Sequence, residues 1–153
     1  MSKSEEVLYI ARKFLFVREV GGQNKGRWVG AFQSLCDGRP GDSWCCYFVS
    51  VVLAIVFGGF MHSPIGCHGR VQDVYELAKR EGWLTDVAAP GDLFLYVNAQ
   101  DHAHHIGFVT YAGPFAIGGI AGNTSEDGLS DNGTGVFEHR VYPQAFIHYP
   151  RGE

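Results

Sequence analysis

The chain reads as an α+β domain, with helices first and an antiparallel sheet after them. Three observations predict this. Apolar residues recur at helical spacing as far as about residue 81. Beyond Pro90 the pattern changes to short apolar and aromatic runs bounded by turn residues. Glycine is high, at 21 of 153 residues, and supplies turns between those runs.

The elements follow in order. Ser2 with Glu5 three residues on has the form of a capping box. It opens a helix expected to run to about Val17, with Val7, Ile10, Ala11 and Leu15 on one stripe. Gly21 to Gly26 is a loop, and a short helix runs from Arg27 to about Leu35. A second loop, Asp37 to Gly41, leads into an apolar helix over about 44–57 that Gly58-Gly59 ends. Val71 to Glu81 is amphipathic, with Val71, Val74, Tyr75 and Ala78 in register. Pro90-Gly91-Asp92 is a turn into a strand, Leu93–Val97. Further strands are predicted at His105–Tyr111, Phe115–Ile120 (with Asn123 just beyond), Gly135–Val141 and Ala145–Tyr149.

Residues 1–153 are expected to form one domain, because the length suffices for a core and there is no linker, repeat or low-complexity tract. Hydrophobic residues at 46% and charged residues at 18% exclude wholesale disorder. A net charge of −4 without a basic cluster argues against nucleic acid as a partner. The longest apolar run, Val51 to Phe60, is too short to span a bilayer and contains two glycines. The polar, acidic start has no signal-peptide core, so synthesis in the cytoplasm is expected, and the four cysteines are expected to be reduced.

The chemistry centres on Gly41-Asp42-Ser43-Trp44-Cys45-Cys46-Tyr47-Phe48-Val49. Cys45 falls in the first helical turn, and its helical neighbours Phe48, Val49, Val52 and Leu53 are apolar. Unpaired backbone N–H groups and partial positive charge gather at that end, which favours a thiolate. A cysteine nucleophile needs a base, and the base needs an orienting group. His102, His104 and His105 follow the first strand. Period-2 geometry groups His105 with Gly107 and Val109. If that side meets the cysteine helix, His105 reaches Cys45 and His104 points away. Asn123 can then hydrogen-bond the far nitrogen of the ring.

These segments resemble the CHAP family, the cysteine- and histidine-dependent amidohydrolases/peptidases. Trp44-Cys45-Cys46-Tyr47-Phe48-Val49 resembles its tryptophan-cysteine-x-x-phenylalanine-valine motif, and Pro90-Gly91-Asp92-Leu93 its proline-glycine-aspartate strand start. His105-Ile106-Gly107-Phe108-Val109 resembles its histidine-hydrophobic-glycine strand, and Gly122-Asn123-Thr124 its glycine-asparagine-threonine segment. Gln23 to Val29 is similar to the loop and helix that often precede the cysteine. The likeness covers about residues 7 to 142, in family order.

The resemblance implies a papain-like fold and hydrolysis of an amide bond in bacterial peptidoglycan, as in phage lysins, autolysins and amidase toxins. It implies Cys45 as nucleophile, His105 as base then acid, and Asn123 as orienter, with no metal or other cofactor. Trp44 is a candidate wall of the substrate cleft. On this reading the chain acts on the cell wall after release or delivery, and a delivery or immunity partner protein is conceivable. Two departures stand out: Ala121 occupies a position that is often glutamate, and Ser43 one that is often proline, where it can serve as a helix cap.

Blander readings stand beside these. Cys45 can be ordinary core, Trp44 likewise, and Asn123 a turn residue. Cys46 reads as packing. The His102–His105 cluster, with Asp101 and Cys67-His68, offers a zinc-binding alternative, although the spacing matches no familiar zinc pattern. Asp127, Asp131 and Asn132 read as a loop at the cleft rim, because calcium-loop spacing is absent. A binding module that kept the fold and lost turnover is the rival from another class, motivated by Ala121.

Overall fold

A computed structural model describes residues 1–152. Four helices, α1 (Lys3–Arg12), α2 (Arg27–Leu35), α3 (Cys45–Phe57) and α4 (Val71–Glu81), precede a sheet of β1 (Leu84–Thr85), β2 (Leu93–Val97), β3 (Ala103–Ala112), β4 (Ile117–Thr124), β5 (Gly135–Val141) and β6 (Ala145–Ile147). A single 3-10 turn, Phe60–His62, follows α3. The sheet runs β1-β6-β2-β3-β4-β5, and every pairing is antiparallel. This is the α+β class expected, with helices N-terminal and strands C-terminal.

Local chemistry accounts for the helix ends. Ser2 and Glu5 form the reciprocal capping box of α1. That helix stops at Arg12 rather than near Val17, because residues 13–16 continue as turns. Gly58 and Gly82 close α3 and α4 in the left-handed conformation, where glycine has no Cβ to clash. Strand β1 was not anticipated, being two residues long.

The α3 helix is the centre of the molecule. Every residue from Cys45 to Ala54 is buried, as an apolar helix with no polar face requires. It packs on β3 and β4, with the Phe48 ring 6.4 Å edge-on to Phe108. Leu93, Leu95, Ile106, Phe108 and Ile120 line this inner face of the sheet. Phe94, Val109, Ala121 and Val141 form a smaller apolar layer on the outer face. So Ile106 and Phe108 meet the cysteine helix, and the side carrying His105, Gly107 and Val109 does not. That inverts the expected face. A Cβ on Gly107 would collide with the Phe94 ring and the Ile120 carbonyl, so the outer face has no space there, and bulk goes to the inner one.

The expectation of four reduced cysteines is also corrected: Cys36 and Cys67 form a disulfide with Cα atoms 5.6 Å apart, and Cys45 and Cys46 remain free. The bond joins the end of α2 to the loop before α4. No helix among the described residues is long and apolar enough to cross a membrane.

Candidate active site

Cys45 opens α3 and is 3% exposed. Trp44 is the N-cap, and no side chain caps the helix. Ser43, expected as a cap, instead accepts a 2.9 Å hydrogen bond from Asn123 Nδ2. Backbone N–H groups of Ile106, Cys46 and Cys45 favour the ionised sulfur. Burial outweighs them and, with the Asp131 charge adding to the rise, pushes the thiol up to about 12. The resting sulfur is therefore protonated, against the expected thiolate. Cys46, fully buried, is pushed well up by burial and then by Cys45, and it is core.

Cys45 lines a cavity of about 260 Å³ together with, among others, Ser43, Arg70, Gln72, His102 and His104. Its other walls come from the start of α4 and the start of β3. Gln72 Oε1 accepts the Ala103 N–H at 2.7 Å, and Asp101 is held by Tyr75 and Lys79, each at 2.7 Å. These bonds fix the turn that presents the histidines. A larger depression along α1, lined by Leu8, Tyr9 and Arg12, shares no residue with this cavity.

The three histidines are placed differently. His105 is fully buried on the outer face, its ring 5.2 Å from that of Tyr96 and 6.0 Å from that of Phe94. Neither ring nitrogen has a partner among the described residues. Burial pushes its pKa down to about 4. It makes no hydrogen bond to Cys45 or to Asn123, so the predicted pairing is not formed. The register of β2 on β3 slips between Tyr96↔His105 and Val97↔Ala103. His104 is the extra residue in that bulge. The bulge is what brings a residue expected to point away onto the Cys45 cavity. His104 Nδ1 lies 2.5 Å from Asp131 Oδ2, in the loop between β4 and β5.

Asn123 lies within β4, at φ 55°, in a second bulge where the pairing with β5 slips between Ala121 and Thr124. Left-handed backbone suits asparagine. The bulge swings its side chain to Ser43 and leaves Oδ1 buried with no partner. Next to it a Cβ on Gly122 would meet the Trp44 ring at 2.6 Å, so the glycine of the Gly-Asn-Thr segment lets β4 pass the helix start. Trp44 has no exposed surface; it stacks on Phe32 and donates from Nε1 to Glu19 Oε2 at 2.8 Å. It is core, which corrects its assignment to the cleft wall.

Two residues escaped the sequence reading as a pair. Strand parity points His104 away from the cysteine, and the spacing around Asp131 reads only as a rim loop. The adjacent His104-His105 doublet was the one available signal. For the zinc alternative, no three His, Cys, Asp or Glu among the described residues are grouped to hold a metal; Cys67 is in the disulfide and Asp101 bonds Lys79. Comparison with known proteins matches no family model, no curated protein and no solved structure.

Proposed function

We propose that this chain is a cysteine hydrolase that cleaves an amide bond of bacterial peptidoglycan, with Cys45 as nucleophile. One observation carries the reading: Cys45, in the first turn of a buried helix, shares a small cavity with an imidazole from β3. The substrate class comes from the resemblance to CHAP motifs alone. Because the sulfur is protonated at rest, the imidazole removes the thiol proton as sulfur attacks the carbonyl carbon. The C–S bond forms, the C–N bond breaks, and the imidazole returns the proton to the leaving amine. Water then cleaves the thioester: its oxygen bonds to the carbonyl carbon, and its proton passes through the imidazole back to sulfur. The Cys45 N–H, at the helix start, is suited to hold the oxyanion.

The test is mass spectrometry of fragments released from purified peptidoglycan. Release by the wild type, lost in Cys45→Ala and kept in Cys46→Ser, is expected. Release that survives Cys45→Ala overturns the proposal.

A second reading has its own observation in favour. Burial holds Cys45 protonated and His105 neutral, and Ala121 adds only apolar surface to the outer layer. A wall-binding module without turnover fits that. Binding to sacculi with no released fragments, unchanged in Cys45→Ala, would select it.

A further inference from the structure

We infer that His104 and Asp131 form the imidazole–carboxylate pair that serves Cys45, with His104 the proton-transferring group and Asp131 its positioning residue. This rests on Cys45 being a nucleophile, as proposed above, and replaces the His105–Asn123 pair that the motif implies.

Three observations carry it. His104 lines the cavity that Cys45 lines, and it arrives there through the β3 bulge. Asp131 holds His104 Nδ1 at 2.5 Å. A carboxylate only accepts, so Nδ1 carries the hydrogen and Nε2 keeps its lone pair for a proton. The loop that carries Asp131 is anchored at both ends. Thr124 Oγ1 donates to the Ser130 carbonyl at 2.8 Å, and the Gly133 and Thr134 N–H groups each donate at 3.0 Å to the carbonyls of Asn123 and Thr124. By contrast, the Asn123 amide is committed to Ser43 and makes no hydrogen bond to a histidine.

In the step assigned to this pair, the Cys45 thiol proton passes to His104 Nε2 as sulfur bonds to the carbonyl carbon and the C=O π pair moves onto oxygen. The hydrogen on Nδ1 stays on the Asp131 contact, and the imidazolium so formed is held by the carboxylate. A carboxylate that does not itself take a proton but fixes ring and tautomer is a known arrangement for such pairs.

The test is the rate at which iodoacetamide alkylates Cys45 in the full chain at neutral pH, read by mass spectrometry. Here the C–S bond forms, iodide leaves, and the thiol proton goes to the base. His104→Gln should slow the reaction about a hundredfold or more, the lower end of the range for a lost general base. Asp131→Asn should slow it less, and Asp131→Glu should recover most of the rate. His105→Gln should slow it less than His104→Gln. Free imidazole should restore the rate of His104→Ala but not of His104→Gln, where the side chain fills the space. A larger loss in His105→Gln than in His104→Gln overturns the inference, and so do equal rates in all variants. Alkylation that depends on His104 while sacculi stay intact leaves this pair standing and sinks the peptidoglycan reading, so the two failures are separable.

Discussion

Two groups of buried polar side chains in this molecule are built to different rules. Around Asp92 every carboxylate oxygen is used: Oδ1 meets Arg151 and His148 Nδ1, and Oδ2 takes the Ala89 N–H at 2.8 Å. Arg151 goes on to Ser4 Oγ at 2.9 Å, with only its Nε buried and unpartnered among the described residues, so the group ties the C-terminal segment to α1 and to the turn before β2. At Asn123, against the start of α3, and at His105, on the outer face of the sheet, less is satisfied. Both nitrogens of His105 and Oδ1 of Asn123 are buried without a partner among the described residues. An unpaired buried polar atom costs about 1–3 kcal/mol. Asp92 is satisfied at both oxygens, whereas His105, on the face of β3 turned away from α3, has neither ring nitrogen satisfied. The first group holds the fold together; the second spends stability next to the proposed base, His104, without being part of it.

The comparison breaks or sharpens under mutation. The largest effect is expected at Asp92→Ala, which leaves Arg151 buried and uncompensated and should cost about 3–5 kcal/mol in a urea titration. Pairing it with Arg151→Met should recover part of that loss. A cost well below 1 kcal/mol for the single variant would mean that the Asp92 group is not the stabilising one.

Next comes the pH dependence of His105. Its pKa falls from 6.5 in the unfolded chain to about 4 in the fold, so the unfolded state binds the extra proton between those values. Stability is therefore full above about pH 6.5 and is lost as the pH falls toward 4. The total is about 3 kcal/mol, at about 1.4 kcal/mol per unit. His105→Phe should remove this part of the acid sensitivity and, by deleting two unpaired nitrogens, leave neutral-pH stability equal or higher. Parallel acid curves for the two proteins would contradict it. The smallest effect is expected at Asn123→Ala, which loses the single bond to Ser43, about 1 kcal/mol, because its Oδ1 contributes no bond to lose.

Much of the fold was legible because local patterns agree with it. The capping box, the Gly58 and Gly82 stops, and the uniformly apolar run after Trp44 each act within a few residues. The site was legible at Cys45 and less so elsewhere. The face of β3 that meets α3 is decided by packing: Ile106 and Phe108 are large, and Gly107 has no side chain at all. Weighing those volumes, rather than assuming that the histidine faces the helix, would have oriented the strand correctly. The bulge that redirects His104 and the left-handed turn at Asn123 depend on neighbouring strands, which no local pattern encodes. The pairing of Cys36 with Cys67 is likewise a property of the assembled chain, since four cysteines alone allow three connectivities.

That cross-link has a practical corollary. With two sulfurs consumed and Cys46 sealed in the interior, the free cysteine that borders a cavity is Cys45, itself only 3% exposed. A compact alkylating group on that sulfur would compete for the same space of about 260 Å³ as any other occupant, so labelling of the native chain doubles as an occupancy assay.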